Sequence, residues 1–178
     1  MPMLPPFPKS YKVETVRSDG RGRTMIYVDG DKKRFEDFTK AGQTEIVIFR
    51  RDLNVRWELY PDAKTYFQSK FDPRKSVVNP DTFYDWNEDG FEIINGRRCL
   101  RFVGREPESY WPYDDAREIC FIDARTGMRR RAVTYNLEGA PHLIIDWLNA
   151  KIGPPPKSVF NVPKDYKRVY RRIYHVDG

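Results

Sequence analysis

Gln43-Thr44-Glu45-Ile46-Val47-Ile48-Phe49-Arg50-Arg51, followed after a short break by Val55-Arg56-Trp57-Glu58-Leu59-Tyr60, is the stretch that decides the fold. In the second run Val55, Trp57 and Leu59 alternate with Arg56 and Glu58, the period of two that sends successive side chains to opposite faces of a strand. The first run has a continuous apolar centre, Ile46-Val47-Ile48-Phe49, as expected of a strand in the middle of a sheet and covered on both faces. Pro61-Asp62 ends the second strand, and Lys64 to Gln68 returns beside it. Towards the N-terminus, Tyr11–Arg17, Arg23–Val28 and Lys32–Glu36 repeat the pattern, joined by Asp19-Gly20-Arg21-Gly22 and by the hairpin dipeptide Asp29-Gly30. The spacing predicts an antiparallel meander of six strands. The βαβ alternation of a parallel sheet is absent.

Between Ser69 and Asn87 the alternation stops, and Phe71, Phe83, Tyr84 and Trp86 occur among prolines. This segment reads as a loop with a short helix near Asp81–Trp86, either a plug or lid over the concave face of the sheet or a surface crossover whose aromatics cap the core. Strands resume at Phe91–Ile94, with Asn95-Gly96 as a turn, then at Arg97–Val103, Arg117–Asp123 and Met128–Asn136. His142–Ile152 fits a helix or a strand equally well. Tyr166–Val176 is expected to be the closing strand. A sheet this long must curl and bury one face, so what fills its hollow is the functional question.

The 178 residues suit a single domain over 11–178, preceded by a proline-rich tether over 1–10. Charged residues make up 33% and aromatics 15%, which fits a folded chain with a solvated exterior rather than a disordered one. No apolar run reaches the ~18 residues of a transmembrane helix. Met1–Pro8 has neither the basic nor the apolar region of a signal peptide, so either the protein is cytosolic or a leader has been removed. The net charge of +6 attracts anionic surfaces without choosing among them.

Few constellations carry chemistry. Cys99 and Cys120 are the only cysteines. If their strands pair so that the two stand opposite, Arg101 meets Glu118 and Leu100 meets Ile119, and a cross-strand disulfide is feasible; two free thiols are the alternative. Asp85-Trp86-Asn87-Glu88-Asp89-Gly90 spells the first half of a calcium loop but lacks the glutamate at the twelfth position, so an acidic turn is expected. His142 and His175 belong to no nucleophile motif, and no metal or cofactor is implied. Arg129-Arg130-Arg131 and Lys167–Arg172 could pair phosphates, but alternation sends Arg129 and Arg131 to one face and Arg130 to the other. Nucleic acid is accordingly the less favoured partner.

The order of several motifs resembles the bacterial lipoprotein-carrier superfamily (LolA/LolB-like). These are Arg34-Phe35-Glu36, the run Ile46–Tyr66, Ile94-Asn95-Gly96-Arg97-Arg98-Cys99, the hairpin Asp123–Arg130 and the closing Phe160-Asn161-Val162-Pro163-Lys164-Asp165-Tyr166. Asp165 stands where the family's closing motif has glycine, and Arg34 is the nearest match to the carriers' switch arginine. The resemblance implies an α+β, mostly β fold: a strongly curved antiparallel half-barrel with a helix or loop plug on its concave face. It also implies a periplasmic or envelope location and a non-enzymatic role, binding lipid or lipidated protein, or an envelope protein partner. On that reading Val55, Trp57, Leu59, Leu100 and Phe102 line the concave face, and Phe71, Phe83 and Trp86 belong to the plug. The alternatives are a protein-interaction or sensor domain of the same fold and a basic polyanion-binding module.

Overall fold

The computed structural model describes residues 4–38, 42, 44–73, 85–105, 117–136 and 138–172. The six-strand meander is present: β1 (Ser10–Arg17), β2 (Arg23–Asp29), β3 (Lys32–Phe38), β4 (Thr44–Arg50), β5 (Val55–Tyr60) and β6 (Thr65–Lys70). A second meander follows, formed by β7 (Asp85–Ile94), β8 (Arg97–Arg105), β9 (Arg117–Asp123), β10 (Arg129–Tyr135) and β11 (Pro141–Ile152). Pairing of β1 with β11 fuses the two into one open sheet, in the order β12-β6-β5-β4-β3-β2-β1-β11-β10-β9-β8-β7, where β12 is Lys167–Val169. The mostly β architecture expected from the sequence is the one found.

Turn chemistry sets the registers. Ile94 pairs with Arg97 across a two-residue loop in which Asn95 and Gly96 both have positive φ, 49° and 75°, the backbone that matches strand twist in a tight hairpin. The ambiguous segment 142–152 is strand β11, because both β1 and β10 offer it ladder partners. Of the expected closing strand Tyr166–Val176, the described residues hold only Lys167–Val169 as strand, parallel to β6, and 173–176 fall outside them.

Two expectations around β7 are corrected. Trp86 lies in an extended strand rather than a helix, since β7 starts at Asp85 and pairs with β8 along its length. The rest of the expected plug, residues 74–84 with Phe83 among them, falls outside the described residues. The acidic hexapeptide 85–90 is likewise strand, not turn, and its glycine marks a bulge: the ladder shifts between Glu88 and Phe91, with Gly90 at φ 78°.

One face of β4–β6, the outer face, is closed by the C-terminal segment. Ile46, Ile48 and Leu59 form a buried cluster with Trp57, Tyr66, Val162 and Tyr166 packed on it. The closing motif Phe160–Tyr166 is therefore a cover. Phe160 is buried, and Arg34 and Arg50 bind the carbonyls of Val159 and Phe160 at 3.0 and 3.2 Å. Lys64 pairs with Asp165 at 2.9 Å. Arg34, further held by Glu36 at 2.6 Å, is thus engaged outside the hollow.

Candidate functional site

A cavity of about 410 Å³ lies on the other, inner face, lined from β1, β2, β3, β9, β10 and β11. These six strands are consecutive in the sheet, and neighbouring strands can share one hollow only where the sheet wraps around it. The ladder carries inward-facing side chains from strand to strand: Tyr11 opposes Val28, which opposes Lys33, while Ala132 opposes Ile145. Most of the lining is apolar, with Tyr11, Ile26, Val28, Phe35, Ile145 and Trp147 as its larger walls.

The N-terminal residues form part of the wall. Phe7 and Pro8 line the cavity, and Phe7 stacks on Tyr11 with ring centroids 6.0 Å apart. Leu4 packs against the neighbouring inner cluster of Trp86, Phe102, Cys120 and Ile122. Between the aromatics sits Arg129, only 3% exposed, its guanidinium 5.2 Å from the Phe7 ring centre and 5.5 Å from that of Trp147. Burial pushes the Tyr11 hydroxyl up to about 12, against the smaller opposing pull of Arg129. The phenol is a neutral wall of the cavity at physiological pH.

A bulge places Arg129 there. Simple alternation predicts that Arg129 and Arg131 share a face, but the register of β10 against β9 shifts between them. Arg131 consequently points outward to Asp146 at 2.6 Å, and Arg130 reaches Asp123 at 2.9 Å, while Arg129 turns inward. The bulge is invisible in the bare triplet of arginines.

Trp86, Leu100 and Phe102 share the inner face and extend its apolar floor beside the cavity: Phe102 opposes Cys120, which opposes Ala132 of the lining. Trp86 fits because Gly104 has no side chain; a Cβ there would lie 2.8–2.9 Å from three ring atoms of the indole. On the other side Phe71 stacks edge-on against Phe49, which packs against Phe35 of the lining, with centroids 6.4 and 5.9 Å apart. Phe71 thus belongs to the inner face.

Val55, Trp57 and Leu59 do not. Trp57 opposes Ile48 and Leu59 opposes Ile46, so this set belongs to the outer face beneath Val162 and Tyr166. Alternation identified correctly which residues share a face, but the apolar side of β5 is the one covered by the chain's own C-terminal segment. Arg56 and Glu58 take the inner side, where Glu58, 3% exposed, is paired with Arg56 and with Arg172.

The disulfide expectation is also corrected. Cys99 opposes Asp123 and Cys120 opposes Phe102, a register three residues away from the one that would join the cysteines. An odd offset puts them on opposite faces, Cys99 in the outer cluster with Ile119 and Phe121, Cys120 in the inner one. Both are buried, and neither is in a disulfide. Among the described residues no group of three His, Cys, Asp or Glu could hold a metal ion, and no helix is long and apolar enough to cross a membrane.

No family model and no curated protein sequence matches the chain. Solved structures do match in fold. An uncharacterised conserved protein from Thermus thermophilus aligns over 92% of this chain and 91% of its own, at 12% identity and a TM-score of 0.63. MucB of Pseudomonas aeruginosa, in its complex with MucA, aligns over 88% of this chain at 15% identity and TM-score 0.57; this chain spans only 56% of the matched one. The lipoprotein LppX of Mycobacterium tuberculosis aligns over 88% of this chain and 90% of its own, at 13% identity and TM-score 0.51. At these identities the likeness is one of fold, and the open, curved antiparallel sheet is the fold that the lipoprotein-carrier resemblance implies.

Proposed function

We propose that this protein is a non-catalytic binder of an apolar ligand, the acyl chain of a lipid or of a lipidated protein, held in the hollow of its curved sheet. The observation that carries the reading is the cavity of about 410 Å³, walled by aromatic and aliphatic side chains of six adjacent strands and by Phe7. Its size falls in the range of about 300–1,000 Å³ typical of small-ligand sites. Burial of about ten methylenes there would gain roughly 8 kcal/mol at about 0.8 kcal/mol each. The cost of association comes out of that gain, so affinity is expected to be no tighter than about micromolar. The same proposal puts the protein in the periplasm or envelope, where free lipid and lipidated partners are met.

The test is native mass spectrometry of delipidated protein after incubation with a bacterial lipid extract, beside an Ala132→Trp variant in which an indole occupies the lining. Bound lipid on the parent protein and its loss from a folded variant are expected. Lipid on neither protein, or the same lipid on both, would overturn the reading.

A further inference from the structure

The cavity is electrically lopsided along its length. At one end Lys33 of β3 lines it level with Tyr11 and Val28, and the exposed Lys9, two residues before Tyr11, lines the same end, its mouth. Two contacts hold this end together: the Gly30 amide donates to the Lys9 carbonyl at 2.9 Å, and the Ser10 hydroxyl donates to Asp29 at 2.8 Å. Asp29 is thereby turned to the outer side with Ser10 and Lys32, its ladder partners, and Asp31, the acid nearest to Lys33 in sequence, faces Arg51 at 3.5 Å. Neither Lys9 nor Lys33 has a side-chain hydrogen bond or ion pair among the described residues, and Lys33 is only half-exposed.

Among the described residues the one acid in the lining, Glu118, stands at the opposite end. It opposes Thr134, which opposes Leu143, two residues beyond Ile145, the partner of Arg17 at the far end of β1. Arg129 lies deeper and is occupied between the rings of Phe7 and Trp147. A single-ended distribution of this kind, with two ammonium groups at the mouth and apolar walls behind them, orients an amphiphile.

We infer that the ligand is an anionic amphiphile, with its carboxylate or phosphate at Lys9 and Lys33 and its chain running inward along Tyr11, Phe35 and Ile145. This rests on the acyl-chain reading above and adds head-group charge and direction to it. An anion there gains from two lysines, one of them half-buried, whereas a neutral head of the same chain length gains only the apolar walls.

Calorimetric titration of the delipidated protein at neutral pH, with palmitic acid, hexadecyl phosphate and hexadecanol, tests this directly. Either anion is expected to bind at least about tenfold more tightly than the alcohol, a preference weakened by salt. In the double variant Lys9→Gln, Lys33→Gln that preference should fall to about twofold or less, while the conservative Lys9→Arg, Lys33→Arg pair retains it. Equal binding of acid, phosphate and alcohol would overturn the charged-head inference and leave the apolar cavity intact. Binding of none of the three would sink the acyl-chain reading and this inference with it. The relative strength of the two anions distinguishes a carboxylate head from a phosphate one.

Discussion

Replacing Gly104 by alanine sets two opposed effects against each other. Gly104 lies in β8 outside the positive-φ region, so a side chain is permitted by the backbone; loss of unfolded-state entropy alone would stabilise the protein by about 0.4–1 kcal/mol. Against this, the new Cβ would stand 2.8–2.9 Å from three atoms of the Trp86 indole, where ordinary contact begins near 3.4 Å. The ring is 2% exposed and packed with Phe102, Cys120 and Ile122, so it has little room to retreat. Overpacking of this kind costs about 1–3 kcal/mol. The steric term wins, with a net loss of roughly 1–1.5 kcal/mol and a fall of about 2–6 °C in Tm for a chain of this length.

Thermal unfolding alone does not isolate the contact, so the assay is a double-mutant cycle with Trp86→Leu. With the indole gone, Gly104→Ala should become neutral or mildly stabilising, giving a coupling energy of at least about 1 kcal/mol. A rise in Tm on the parent background, or additive effects in the cycle, would refute the argument that Gly104 exists to seat Trp86 on the inner floor.

Three further perturbations follow from the same geometry. Below pH 10 the Tyr11 phenol is neutral in both folded and unfolded states; above it the unfolded phenol ionises while the folded one, pushed up to about 12 by burial, does not. Tyr11 should therefore withdraw up to about 2–3 kcal/mol of stability between pH 10 and 12, and urea titrations of Tyr11→Phe should show that limb flattened relative to the parent. Burial pushes Asp123 up, but its bonds to Arg130 and to the amides of Arg125 and Thr126 outweigh this and hold it below the usual carboxylate value. Its contribution is present above about pH 4 and fades as pH drops below; Asp123→Asn should cost about 3–5 kcal/mol at neutral pH, with the gap to the parent narrowing in acid, and a gap independent of pH would count against it. Alkylation of the denatured, unreduced protein should add two labels, one each on Cys99 and Cys120; no labels would restore the disulfide.

How much of this was legible in the sequence depended on whether the cause was local. The strand in Val55–Tyr60, the Asn95-Gly96 hairpin and the six-strand meander rest on alternation and turn backbone, both written within a few neighbouring residues. Which side of β5 faces the hollow was not legible, because the deciding partner, the segment with Val162 and Tyr166, is about a hundred residues downstream. The cysteine register failed for a related reason. The charge and apolar pairs that favoured Cys99 opposite Cys120 were two plausible matches in a strand pair that offers several, and the ladder chose one three residues away. Arg129 was hidden by a bulge, and Phe7 by a proline-rich stretch whose composition reads as a tether although its aromatic ring is a wall of the site.

The two ends of the chain give the sheet its asymmetry, and with it a hollow. A curved wall with apolar residues on both faces must cover both, and here the covers differ in kind. The outer side of β4–β6 receives Phe160, Val162 and Tyr166, anchored by Arg34 and Arg50 to backbone carbonyls, a fixed cover that leaves Ile48 and Leu59 with no exposed surface. On the inner side Leu4 packs on the floor and Phe7 on Tyr11, and among the described residues a cavity remains between Phe7 and the walls of six strands. Filling that space with side chains would have been the more stable solution, since interiors pack densely and voids cost free energy. On the proposed function, burial of an acyl chain in this cavity offsets that cost. That is why Phe160→Ala and Phe7→Ala should separate: the first should cost about 3–5 kcal/mol of stability and leave acyl-chain affinity intact in the folded fraction, the second should cost less stability and weaken binding. If both variants lose stability alone, with lipid affinity untouched, Phe7 is simply one more piece of core.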